Sequence, residues 1–383
     1  MQIFTAIAGA IVILAVLLDA FETVVLPRRV RRHFRITTWF YRYTWRPWRR
    51  LISHIQSPGR RENFLGYFGP LSLIFLLALW AVGLIFGFAL VQYGVGEHVQ
   101  LNNERINFGK LIYHSGETFF TLGYGDIVPV SSLSRALAVI EAGMGFGFLG
   151  TVIGYLPTIY SSFSRREIQI SLLDVHAGSP PTAAEMLARR AGGSDKELLD
   201  RVLRDWERWA AEVLESHISY TPLSFFRSQH TNESWLAALT TILDTTALVI
   251  AGVDEFPTDQ ARITFAMARH AVVDLAQVVN ARYERTFPDR LPAEALLHLR
   301  ENLAARGVRL REGVEFVQKL GTLRALYEPY AQALARTLLI TLPPWIQDAR
   351  HRDNWQAGPW DALIQAKGLG GETASAIKIE DHF

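Results

Sequence analysis

Three stretches of this chain are longer and more apolar than a globular core requires. They run from about Ile3 to Leu26, inside the charge-free run from Asn63 to Gly96, and from about Ser134 to Phe163. About 20 apolar helical residues cross the roughly 30 Å hydrocarbon layer of a bilayer, so each stretch predicts a transmembrane helix. The first has no basic leader and no A-x-A-like cleavage site, and its arginines follow it. It therefore reads as a retained span rather than a secretory signal. Apolar residues form 49% of the 383 positions but crowd before residue 164, and the remainder has the charged composition of a folded soluble domain. The chain contains no Cys, which excludes disulfides and thiolate metal sites. A net charge of +2 gives no argument for a nucleic-acid partner.

Loop charge orients the spans. Between Pro27 and Arg61 stand eleven Arg and no acidic residue. The connection between the second and third spans carries only Arg105 and Lys110 against Glu97, Glu104, Glu117 and Asp126. The positive-inside rule puts the Arg-rich loop in the cytoplasm. The expectation is a multi-pass protein of the cell (inner) membrane, its N-terminus outside and its C-terminal domain cytoplasmic. Within the loop, Ile36, Trp39, Phe40 and Tyr43 share one helical face and Arg35, Arg42 and Arg46 another, until Pro47 ends the pattern. This predicts an amphipathic helix along the inner membrane surface, with Trp45 and Trp48 as anchors and the Arg28–Arg61 loop on anionic headgroups. A voltage sensor would need arginines spaced along an embedded helix among further spans, which Arg28-Arg29-Val30-Arg31-Arg32 does not offer.

Between the second and third spans, Phe108 to Ser132 is too short and polar to cross the bilayer. Such a segment enters and returns only where its backbone is buried in protein or lines a watery path. Phe108 to Phe120 predicts a short helix whose C-terminal end, with its partial negative charge, favours a cation. Next comes Thr121-Leu122-Gly123-Tyr124-Gly125-Asp126. A ring of carbonyl oxygens can replace the hydration shell of a potassium ion. Aiming successive carbonyls at one axis requires alternating left-handed dihedrals, which glycine adopts freely, hence Gly123 and Gly125. Thr121, Leu122, Gly123 and Tyr124 would supply the ion's oxygens, the Thr121 hydroxyl being the innermost. One chain carries one such strand, so a closed ring takes four chains.

This segment resembles the pore of bacterial two-span potassium channels of the ion-channel superfamily, from His114 through the filter to Pro129, and the resemblance covers about residues 65–163. It implies a tetrameric pore with passive K+ conduction, a pore-helix carboxylate at Glu117 supporting filter residue Asp126, and an inner-helix gating hinge at Gly145. Two positions depart from the pattern: Phe120 stands where a small or hydroxylated residue is usual, and the pore-helix aromatic pair reads Tyr113-His114. Neither touches the ion path. Gly143, Gly145, Gly147 and Gly150 can alternatively be close-packing sites. Pro157 either bends or ends the third span, leaving Thr158 and Ser161 at the cytoplasmic mouth. Glu141, inside that span, is read as a partner of pore-helix hydroxyls, and Asp19 and Glu22 as partners of the nearby arginines.

From about Arg165 helical periods dominate. Ser194-Asp195-Lys196-Glu197 reads as a capping box opening a helix to about Glu215. Further helices are expected from Asn232 to Ala251, from Thr258 to about Arg285, and in two or three pieces from Pro292 to Asp348, interrupted near Gly307. Leu236 to Val253 is apolar enough to raise a fourth span, but Asp244 in its middle argues for a buried core helix. No G-x-G-x-x-G fingerprint follows residue 165. His217, Tyr220, Arg227, His230 and Trp235 gather polar and aromatic chemistry between two helices, as a small-molecule pocket would, or as an ordinary connection with buried aromatics would. His217 and His230 lack metal-ligand spacing.

The expected architecture is all-α: an N-terminal transmembrane helix (1–27), a basic loop with its interfacial helix (28–62), a pore module (63–164), a helical regulatory domain (165–367) and a flexible tail (368–383). A transporter subunit would carry four degenerate pore repeats in one chain, whereas this chain has one complete signature. No catalytic constellation, P-loop or cofactor motif suggests an enzyme.

Overall fold

The computed structural model describes residues 2–26, 35–96, 99–100, 107–191, 196–229, 233–253, 256–283 and 287–347. They divide into two compact units, residues 1–163 with 216–226, and residues 164–215 with 227–383. The chain is an all-α membrane protein. The expected tail and the Ser194-Asp195 cap fall outside the described residues.

In the first unit, α1 (Gln2–Ala20) continues as a π-helical turn, Phe21–Val25. Then follow α2 (Ile36–Ser53), α3 (Pro58–Val95), α4 (Phe108–Phe119) and α5 (Ser132–Ala177). Two short strands, β1 (Val99–Gln100) and β2 (Val128–Pro129), pair antiparallel on either side of α4 in the chain. Helix α1 lies so close along α3 that a Cβ on Gly9 would stand 2.6 Å from the Gly87 carbonyl oxygen, and one on Gly94 would run into the backbone of Ala6. Small residues permit that approach where helices associate in hydrocarbon.

The junction of α1, α2 and α3 is pinned by Asp19. Its buried carboxylate accepts from the Thr37 backbone N–H (3.1 Å), the Thr37 hydroxyl (2.6 Å) and the Trp80 indole N–H (3.0 Å). Thr37 stands in the first turn of α2, where N–H groups lack intrahelical acceptors, so a carboxylate from one helix caps another. Of the two acids expected to partner arginines, Glu22 stands 3.5 Å from Arg35 Nε and Asp19 meets no arginine among the described residues, Arg28 to Arg32 lying outside them. Pro47 was expected to end the interfacial helix, yet α2 runs through it to Ser53. Pro47 and Tyr43, whose carbonyl loses its partner, are both exposed, while Tyr41, Trp45 and Ile52 hold the buried side of the helix. Pro157 likewise lies inside α5 rather than ending it.

The second unit holds α6 (Ala183–Ala191), α7 (Lys196–Ser219), which runs on into the first, α8 (Trp235–Gly252), α9 (Asp259–Val278), α10 (Ala293–Ala305), α11 (Val314–Ala325) and α12 (Glu328–Leu338). Among the described residues, four helices are long and apolar enough to cross a membrane: α1 with its π turn, α3, α5 and α8. Only α8 is buried at every position, inside its own unit. Ser234 caps it, accepting from the Ala237 N–H at 3.0 Å. Its one charged side chain, Asp244, meets Arg290 at 2.6 Å and also takes the Tyr327 hydroxyl. Burial alone would lower the basicity of Arg290, but the Asp244 carboxylate outweighs it and holds the guanidinium above its ordinary value. A paired buried charge of this kind belongs to a folded core, so α8 is the core helix expected.

Other boundaries moved. Gly307, with φ 83°, follows α10 as expected. Helix α9 stops at Val278, ahead of Asn280 at φ 52°, and Thr258 sits at its N-cap without a side-chain capping bond. Short α6 was not expected. Its Glu185 is clamped by Arg189 (2.6 Å) and Arg306.

Candidate functional site

Helix α4 begins where the Asn107 side chain accepts the Lys110 N–H at 3.0 Å. Its buried face carries Leu111, His114, Ser115, Glu117 and Phe119. The Ser115 hydroxyl sits 2.8 Å from the Ile85 carbonyl of α3 and against the Glu141 carboxylate of α5. Gln92 of α3 donates to the other oxygen of Glu141 at 3.2 Å. One buried carboxylate therefore ties the outer, pore and inner helices together, the structural role expected for Glu141.

The chain leaves α4 through three tightening bonds: Phe120 N–H to the Gly116 carbonyl (3.0 Å), Thr121 to Thr118 (3.1 Å) and Leu122 to Glu117 (2.7 Å). From there the backbone alternates. Thr121, Gly123 and Gly125 have φ of 56°, 64° and 79°, while Leu122 and Tyr124 between them do not enter the positive region. The two glycines were expected there, but Thr121 was not. A β-branched residue in the left-handed region is a genuine outlier, and such strain clusters at functional sites. Filter residues Thr121 to Asp126 are all exposed in the single chain, Leu122 at 56% and Tyr124 at 71%.

Behind the filter the acids are arranged differently from what the family resemblance implies. Glu117 pairs with His114 Nδ1 at 3.2 Å, one turn back on its own helix. Asp126 accepts the Ile127 N–H at 3.0 Å and the hydroxyl of Tyr113. The aromatic pair that departs from the family pattern, Tyr113-His114, thus engages the two carboxylates.

On α5, a Cβ at Gly145 would overlap the carbonyl oxygen of Phe119, whereas one at Gly143, Gly147 or Gly150 meets nothing in the single chain. Gly145 is therefore the point where the inner helix presses on the end of α4. The Thr158 hydroxyl donates to the Gly154 carbonyl at 2.9 Å, and Pro157, Thr158 and Ser161 are exposed on one stretch of α5.

The residues suggested for a small-molecule pocket are divided between the two units. Fully buried His217, whose Nδ1 lies 3.2 Å from Ser216 Oγ, and Tyr220 belong to the first unit. Arg227 and Trp235 belong to the second, where Arg227 donates to the Leu338 and Leu339 carbonyls and Trp235 opens α8. His230 lies outside the described residues. Residues 216–226 instead form a wedge inside the pore unit. Phe225 stacks on Tyr41 of α2 (4.9 Å, planes 6° apart) and meets Trp45 and Phe68 at 5.4 Å each. Leu223 packs with Leu73, Tyr155 and Ile159, and Tyr220 reaches Tyr155 at 5.8 Å and Phe226 reaches Phe163 at 5.7 Å. The sequence signal for this was the aromatic cluster itself, read as a connection with buried aromatics or as a pocket.

Residues 74–161 match the family described as Ion channel, bracketing α4, the filter and the inner helix. Over 231 residues the chain is 24% identical to an uncharacterized membrane protein, YdjJ, of Bacillus subtilis, covering 59% of this chain and 65% of that one. Over 46 residues it is 46% identical to the calcium-gated potassium channel TvoK of Thermoplasma volcanium, covering 12% of this chain and 13% of the relative. The chain thus spans less than two thirds of the length of these relatives. No solved structure matches. The matched segment is similar to that of an ion channel, and it lies in a chain with several helices long and apolar enough to cross a membrane.

Proposed function

We propose that the chain is one subunit of a potassium-selective channel in which four copies surround a common axis and conduct K+ passively. The observation that carries this reading is the alternation of left-handed dihedrals at Thr121, Gly123 and Gly125, directly after the C-terminus of a short helix. That alternation turns successive carbonyls to one side, as a dehydrated cation requires. Thr121, Leu122, Gly123 and Tyr124 supply the ligands, and Glu117, paired with His114 and accepting the Leu122 N–H on its backbone carbonyl, supports the filter strand that ends at Asp126. The exposure of Leu122 and Tyr124, and of Phe146, Leu149 and Ile153 on α5, supports assembly, since these apolar side chains need a covering surface.

Opening involves α5, with Gly145 as hinge and packing point and Pro157, Thr158 and Ser161 at the inner mouth. The helical C-terminal unit modulates it, and the seating of residues 216–226 on Tyr155, Ile159 and Phe163 supports a link from that part of the chain to the gate. The N-terminus faces outward, the C-terminal unit is cytoplasmic, and the Arg28–Arg61 loop rests on the anionic inner leaflet of the cell membrane. The test is ion flux from liposomes holding the full chain or a truncation near Arg165. Equal sodium and potassium flux would contradict selectivity. Identical behaviour of both chains under varied pH, voltage and ligands would contradict modulation.

A further inference from the structure

The wedge, residues 216–226, belongs to the pore unit and Arg227 to the other, so the chain leaves the pore unit between two neighbours, Phe226 and Arg227. The other two passages run inside α5 and α7. On the pore side, the Phe226 ring meets Phe163 of α5 at 5.7 Å. It also presses on Gly69 of α3, where an added Cβ would stand 2.7 Å from the ring. On the other side, the half-buried Arg227 guanidinium donates to the Leu338 and Leu339 carbonyls. Helix α12 ends at Leu338, and Leu339 turns left-handed at φ 56°. The cation thus serves carbonyls that a helix C-terminus leaves without intrahelical donors. The next two residues are gripped as well. Buried Glu167 of α5 accepts from the Ser228 hydroxyl and the Gln229 N–H, at 3.2 Å each, and from Arg166 at 2.9 Å. Grips on adjacent residues leave no slack. Neighbouring Cα atoms stand about 3.8 Å apart, and Phe226 is already extended, with φ −78° and ψ 123°. A displacement of the α12 end is therefore passed to Phe226 or breaks a grip, whereas a flexible linker would absorb it.

We propose that Phe226 and Arg227 are positioning residues for opening, through which the C-terminal end of α12 sets the wedge against the inner helix. The proposal rests on the reading that the chain is a channel opened by α5, and it names a route by which the helical unit modulates that opening. Helix α12 packs on α8 and α9. A rearrangement of that core that shifts the end of α12 reaches Phe226 and, through its ring, Phe163 of α5. This route is separate from the continuation of α5 itself into the second unit.

The test measures the open-to-closed ratio of the purified full chain in planar bilayers, beside its unfolding temperature and oligomeric state. Two glycines inserted between Phe226 and Arg227 add about 7 Å of slack and leave every side chain in place. The expected result is a change in the open-to-closed ratio of at least about fivefold, the lower end of allosteric coupling, with the oligomer retained. Arg227→Ala is expected to shift the ratio in the same direction, and Arg227→Lys, which keeps the charge, to shift it less. Combined with the insertion, Arg227→Ala is expected to add nothing further, because the route is already slack. An unchanged ratio in the inserted chain or in Arg227→Ala would overturn the relay. So would an Arg227→Ala effect that persists in full on top of the insertion, or one confined to the unfolding temperature, since Arg227 would then only cap α12. Absence of K+ current from the parent chain would overturn the channel reading and this inference with it, whereas a conducting parent with an insensitive insertion fails the relay alone.

Discussion

A methyl group is enough to distinguish the glycines of α5. Gly145→Ala sets a Cβ into the Phe119 carbonyl. Overpacking of a fitted site typically costs about 1–3 kcal/mol, so this variant is expected to unfold at lower temperature in detergent and to shift the filter it leans on. Gly66→Ala on α3, whose Cβ meets nothing, serves as the control and is expected to be neutral or stabilising by up to about 1 kcal/mol. In the filter, Gly123→Ala forces a side chain into the left-handed region at about 1–2 kcal/mol per copy. The oligomer is expected to survive that change and K+ flux to be lost, as flux assays on size-selected protein would record. Much of this site was legible in the residues, because Gly123 and Gly125 are the only unstrained solution to their dihedrals. Thr121 was legible as a ligand but not as a strained residue, since nothing in its type marks a positive φ. The pairing of Glu117 with His114 was hidden because it depends on which way two long side chains turn.

Helices are where packing overrode local signals. Pro47 read as a terminator and Pro157 as either a bend or an end, yet α2 and α5 continue through them because their buried faces are held on either side of each proline. Residues 216–226 read as a connection, and only tertiary structure could reveal that Phe225 inserts beside Tyr41, Trp45 and Phe68. Phe225→Ala is expected to cost about 3–5 kcal/mol and to alter channel opening as well as thermal stability. Helix α8 went the other way, because Asp244 in its middle announced a core helix from sequence. Asp244→Ala removes the closer partner of Arg290 and leaves it the longer pair with Glu328 at 3.3 Å, with an expected loss of about 3 kcal/mol, the lower end for breaking a buried pair, in unfolding followed by circular dichroism. Since the chain has no native Cys, single cysteines at Gln229 and Asp259 test its topology. Labelling from the same side of the membrane is expected, and labelling from opposite sides would make α8 a span. Glu185 adds a pH signature. Burial raises its carboxyl pKa, but Arg306 and Arg189 outweigh that and hold it below the usual range. The stability it contributes is therefore present above the ordinary carboxylate pKa and lost as pH falls through the lower folded value. Acidification below about pH 4 is expected to lower the unfolding temperature, and Glu185→Gln to flatten that dependence.

At the scale of the whole molecule, the proposed four-copy channel makes a single chain an incomplete object. It exposes its filter and one face of α5, and a carbonyl strand from one copy coordinates nothing alone. The long apolar helices α1, α3 and α5 and the short helix α4 between the last two were readable from hydropathy, because a bilayer admits few solutions. The helical C-terminal unit was readable only as helices, since its packing rests on buried ion pairs such as Asp244 with Arg290 that no periodicity encodes. The most direct test of the central claim is the reversal potential of the purified full-length protein in a planar bilayer, with K+ on one side and Na+ on the other. A selective four-fold filter gives a reversal potential close to the potassium equilibrium value. A reversal near zero would contradict the account.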